Sequence, residues 1–118
     1  MKKITSALAL TAGLLLARGA LAMDYVEFAR STLLPCVHST VNVDKAKAEY
    51  AKEPVTEGEM TTARVKVFYK GWIRSNSMLF EIKNRHAGSI NQIRAEVLED
   101  SSPVHSPDCK YLEGWQDL

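Results

Sequence analysis

Residues 60–74 read MTTARVKVFYKGWIR, and the period of this stretch decides the architecture. Val65, Val67, Tyr69 and Ile73 alternate with Arg64, Lys66, Phe68, Lys70 and Trp72. A repeat of two, rich in β-branched and aromatic residues, is strand spacing, because successive side chains on a strand point to opposite faces. Gly71 marks a bulge or bend in what would otherwise be an unusually long strand. If the alternation is unbroken, Arg64, Lys66, Lys70 and Arg74 share one face with Phe68 and Trp72.

Toward the C-terminus, Ser75-Asn76-Ser77 reads as a turn, and Met78, Phe80 and Ile82 alternate with Leu79, Glu81 and Lys83 in a second strand. Asn84 to Ser89, with Gly88, ends that strand. Residues 90–99 carry two periods: Ile93, Ala95 and Val97 alternate as a strand, while Ile90, Ile93, Val97 and Leu98 also fit a helix. The strand is preferred, since a lone hairpin is marginal and a third strand completes a sheet with one buried face. Beyond Glu99, prolines and serines signal an irregular tail, with Tyr111, Leu112 and Trp115 able to pack back.

Toward the N-terminus, Asp24-x-x-Glu27 has the form of a helix cap with a reciprocal partner. Tyr25, Phe28, Ala29, Thr32 and Leu33 recur at helical spacing until Pro35 ends the stripe. Asn42 to Lys52 is rich in Ala, Lys and Glu, carries Val43, Ala46 and Tyr50 on one side, and stops before Pro54, which predicts a second helix. Gly58 lies in a connector. The expected fold is therefore α+β: two N-terminal helices packed on a small antiparallel meander, with the tail tied down by a disulfide.

The first residues set the compartment. Met1-Lys2-Lys3, a Leu- and Ala-rich run to Leu16 and the Ala20-Leu21-Ala22 pattern read as a signal peptide over residues 1–22, cut before Met23. That leaves one mature domain, Met23–Leu118, with no span of bilayer length, for the periplasm or the outside of the cell. Without Lys2, Lys3 and Arg18 the acidic residues outnumber the basic ones, so the full chain's charge of +1 turns slightly negative. The cations are nonetheless concentrated: Arg64, Lys66, Lys70, Arg74, Lys83, Arg85 and Arg94 are opposed in their stretch only by Glu81.

Cys36 and Cys109 are the only cysteines, and export favours their pairing. The alternative, a tetrahedral metal site with His38 and His105, lacks the spacing of structural zinc sites, so neither metal nor cofactor is expected. Leader, size and cysteine pair together resemble the small exported proteins of Gram-negative bacteria, a resemblance that carries no functional residue across.

Catalytic patterns are not found. Gly88-Ser89 is no nucleophile elbow, there is no glycine-rich phosphate loop, and Glu57/Glu59 and Glu99/Asp100 read as solvated surface carboxylates. The chain reads as a non-enzymatic binding module that uses a basic, aromatic-containing surface made of Arg64, Lys66, Phe68, Lys70, Trp72 and Arg74. The partner expected is an anionic envelope component or an acidic protein, and not nucleic acid. The alternative is a small thiol-dependent or hydrolytic enzyme using Cys36 or Cys109, with His38 or His105 as base.

Overall fold

A computed structural model describes residues 23–71, 74–102 and 108–118. Residues 1–22, the expected signal peptide, and Trp72 and His105 lie outside the described residues.

Asp24 starts the helical segment by accepting the Glu27 amide at 3.0 Å. Glu27 does not return the cap. Its carboxylate holds Arg30 at 2.7 Å, and that hydrogen bond keeps the Glu27 carboxyl below the ordinary range. Helix α1 (Tyr25–Phe28) runs through a π-helical stretch (Ala29–Leu33) into α2 (Leu34–Val37). The stripe was expected to stop at Pro35, yet the rod continues through it. Proline has no N–H for the carbonyl one turn back and crowds it, and the wider π turn just before it relieves that conflict. Tyr25, Ala29, Leu33, Leu34 and Val37 form its buried face.

The predicted second helix is not formed. Only Val43–Lys45 makes a turn of 3₁₀ helix, and Lys47–Glu57 is a strand, β1. This overturns the expectation of two helices on a meander: the domain is mostly antiparallel sheet, with one short helical rod and a disulfide. Ala, Lys and Glu gave the segment helical propensity, but propensity is a weak prior. Its thin apolar stripe supports a strand better, since Ala48 and Tyr50 alternate onto the core while Lys47 and Glu49 stay exposed.

Four more strands follow: β2 (Met60–Lys70), β3 (Ser75–Ala87), β4 (Ile90–Asp100) and β5 (Gln116–Asp117). They pair in sequence order, all antiparallel. Two hairpins turn on two residues each. Gly58 (φ 62°) and Gly88 (φ 59°) open them in the left-handed region, where glycine carries no Cβ penalty. The β2–β3 connection is not at Ser75-Asn76-Ser77, which belong to β3; Gly71 donates to the Arg74 carbonyl at 2.8 Å and closes the turn. A side chain at Gly71 would collide with the Asn76 amide. The strand at 90–99 forms as preferred.

Beneath the rod lie Ala63, Val65, Val67, Tyr69, Met78, Phe80, Ile82, Ile93 and Ala95, every second residue of three strands. Asn84 was expected to end β3, yet it lies inside the strand, 1 % exposed. Its amide is fully used: Tyr25 Oη donates to Oδ1 at 2.7 Å, and Nδ2 donates to Asn91 Oδ1 and to the Gln92 carbonyl. Asn84→Ala should therefore lower stability by about 1–3 kcal/mol, measured by denaturant unfolding, because it leaves the buried Tyr25 hydroxyl without its acceptor and the half-buried Gln92 carbonyl without the Asn84 amide.

β1 is a free edge. Pro54 and two register shifts, at Tyr50/Lys52 and Lys52/Val55, interrupt its ladder, which is how sheet edges are kept from recruiting further strands. At the opposite edge the tail docks. Cys36 and Cys109 are joined, with Cα atoms 5.2 Å apart, the Tyr111 ring stands edge-on to Phe28 at 5.3 Å, and β5 pairs with Gln92 and Ile93. Among the described residues one core serves one small domain, and no helix is long and apolar enough to cross a membrane.

Candidate functional site

The helical rod covers one sheet face; the other is the face on which the sequence placed its cations. Along β2 the residues alternate strictly, with Arg64, Phe68 and Lys70 exposed and Lys66 half-buried between the buried Ala63, Val65, Val67 and Tyr69. Arg64, Lys66, Phe68 and Lys70 are thus brought together on one face. Arg74 is exposed but sits in the turn, where its carbonyl takes the Gly71 amide. Trp72 lies outside the described residues.

Cross-strand register sorts the cations. Arg64 lies opposite Glu81 and pairs with it at 3.1 Å, so that charge is met within the molecule. Arg85 and Arg94 both lie against the Trp115 ring, at 4.3 and 5.7 Å from its centroid, and Arg85 also donates to Gln92 Oε1. Trp115 of the tail thereby occupies two of the guanidinium groups that the sequence left open.

The other end of β2 is different. Phe68, 41 % exposed, lies opposite Lys47 of β1 and Ser77 of β3, and the Lys66 ammonium stands 5.7 Å from its ring centroid. Lys66 lies between Glu49 and Leu79. Among the described residues, Lys47, Lys66 and Lys70 have no carboxylate within ion-pair distance. Lys70 also borders a groove of about 640 Å³, lined by Thr40, Val41, Asn42, Lys45 and Gly71, so the basic surface continues round the end of the sheet. Sequence reasoning missed Lys47 and Lys45 because it placed both in a helix. The strand alternation of 47–50 was the signal available.

A second group was also missed. His38, Tyr69 and Asp100 meet where the rod ends, with the His38 and Asp100 side chains each 8 % exposed. The Tyr69 hydroxyl donates to Asp100 Oδ1 at 2.9 Å, and the Ser102 amide donates to the same oxygen at 3.0 Å. That leaves Asp100 Oδ2, at 2.9 Å, and the Tyr69 oxygen, at 3.1 Å, to accept from His38 Nε2, which places a proton on that nitrogen. Burial, reinforced by the neighbouring carboxylate, pushes the Tyr69 hydroxyl far above the usual tyrosine range, so it remains a neutral donor. Asp100 is therefore not the solvated surface carboxylate that its pairing with Glu99 suggested.

Both cysteines are in the disulfide and none is free, which removes the thiolate that a cysteine nucleophile would need. Among the described residues no three His, Cys, Asp or Glu side chains are grouped to hold a metal ion. Comparison with protein-family models, with curated proteins and with solved structures gives no match for this chain.

Proposed function

We propose that the protein is a non-enzymatic binding module, exported to the periplasm or beyond, that engages an anionic envelope component or an acidic protein. Its contact surface is the corner built from Lys47, Lys66, Phe68 and Lys70. The observation that carries this reading is an aromatic ring left 41 % exposed among three lysines, none of which has a carboxylate within ion-pair distance among the described residues. Strand alternation turns the ring away from the core that its neighbours Val67 and Tyr69 enter, so it belongs to the uncovered face. Ammonium groups steer an anionic partner toward the surface, and the flat ring supplies contact area at low entropic cost. The buried disulfide is compatible with an oxidising compartment.

A photo-crosslinking side chain at position 68, with one at Ile90 as an equally exposed control on the same sheet, tests the reading in envelope and secreted fractions. Capture from position 68 and not from 90 is the expected result. Equal capture from both would mean that the corner is not the contact surface.

A further inference from the structure

The buried polar trio and the disulfide sit at one junction. His38 follows Cys36 by two residues and caps the C-terminal end of α2, while Asp100 ends β4 and leads toward Cys109. Both links therefore join the end of the rod to the returning chain, one through sulfur and one through hydrogen bonds. We propose that His38, Tyr69 and Asp100 form with Cys36–Cys109 a single coupled latch: the trio holds the two thiols in reach of each other, and opening the disulfide loosens the trio.

Loop closure gives the scale. Alone, the disulfide closes a separation of 73 residues. With His38 held to Asp100, the path between the two cysteines shortens to roughly a dozen residues, and loop-closure scaling sets the gain in their mutual effective concentration at on the order of tenfold at most, since the packed rod already restrains Cys36. The trio can do this because it is buried and satisfied. Asp100 takes hydrogen bonds from Tyr69, His38 and Ser102, and Ser101 fixes the same stretch to β3, its amide donating to the Ser77 carbonyl and its hydroxyl accepting from the Ser77 amide. Coupling between two links is reciprocal, so whatever the trio contributes to the disulfide, the disulfide returns to the trio.

The redox step balances with glutathione disulfide as oxidant. Cys36, the more exposed sulfur, attacks it as thiolate and releases one glutathione thiolate; Cys109 then attacks the Cys36 sulfur of the mixed disulfide and releases the second. Two thiols are oxidised to one disulfide, glutathione disulfide is reduced to two glutathiones, and the two protons end on those.

The test equilibrates the purified protein in glutathione buffers and reads the effective concentration of the two thiols. Asp100→Asn should lower it severalfold, to about tenfold at most, and Tyr69→Phe by less. Asn84→Ala, which weakens the sheet away from the junction, should leave it within about twofold. Equal losses in Asp100→Asn and Asn84→Ala would overturn the proposal, as would no loss in Asp100→Asn. Hydrogen exchange of the unaltered protein gives a second reading that needs no variant. Reduction should speed exchange at the Ser102 amide, bonded to Asp100, severalfold and leave the His86 amide, bonded to the Glu59 carbonyl, unchanged. Unchanged exchange at Ser102, or equal acceleration at both, would overturn it.

Discussion

Replacing Cys36 and Cys109 together by alanine should lower the stability of the domain by about 4 kcal/mol and its Tm by about 20 °C. The first figure follows from the 73-residue separation that the bond closes, through the entropy removed from the unfolded chain. The second follows from the unfolding entropy of a domain of about a hundred residues. Both cysteines must go in one variant, so that no lone thiol is left to form mixed disulfides. The native state loses something too. Cys109 is 1 % exposed, and the short helix α3 (Lys110–Glu113), the Tyr111–Phe28 contact, Trp115 on Arg85 and Arg94, and β5 all follow it in the chain. With the bond absent, each would have to hold the tail against its own conformational entropy. Denaturant unfolding of oxidised wild type and double variant, followed by circular dichroism, measures the difference. A loss below about 1 kcal/mol would show that the tail docks without the covalent link.

The end of the rod and the trio meet at the end of β2 that carries Phe68 and Lys70. A binding surface on the far side of a sheet inherits the rigidity of the core beneath it, because residues 65, 67 and 69 are buried between the exposed ones.

Much of this was legible in the residues, and the failures have identifiable causes. The alternation from Arg64 to Lys70 gave the face of each side chain, since a strand with one buried face has only one register that keeps charges in water. The cysteine pairing followed from count and compartment. Residues 47–52 read as helix because their propensity outweighs the short alternation of 47–50, and the ladder of backbone hydrogen bonds that an edge strand gains from its neighbour is not visible locally. The turn before β3 was displaced for a related reason, as Ser75-Asn76-Ser77 has turn chemistry but is recruited into the ladder with β2. Asn84 and Asp100 were taken for loop and surface residues because polarity usually means exposure. Each is buried with its hydrogen bonds satisfied by partners distant in sequence, Tyr25 for the first, His38 and Tyr69 for the second. Only the fold brings those partners together.

The cation count of the middle segment was also a poor guide to the proposed contact surface. Of the seven basic residues, Arg64 is met by Glu81, and Arg85 and Arg94 by Trp115, while a lysine from an unsuspected strand, Lys47, joins the exposed corner. Cross-strand register, rather than the number of charges, determines which of them remain for a partner.

Charge reversal at that corner is the sharpest probe of the account. Lys66 and Lys70 both project from the uncovered face, without a carboxylate in ion-pair distance among the described residues, so the fold should tolerate their replacement at a cost of no more than about 1 kcal/mol, set by the like charge that Lys66→Glu places opposite Glu49. An anionic partner would then meet two repulsive charges where it had two attractive ones, a change of about 3 kcal/mol, or about a hundredfold in Kd. The measurement is the affinity of wild type and Lys66→Glu/Lys70→Glu for the species captured through position 68, at low ionic strength and again near 1 M salt, where screening acts within about 3 Å. The account predicts a hundredfold loss at low salt that largely closes at high salt, with the two proteins unfolding within about 1 kcal/mol of each other. Equal affinity of the two proteins at low salt would contradict it.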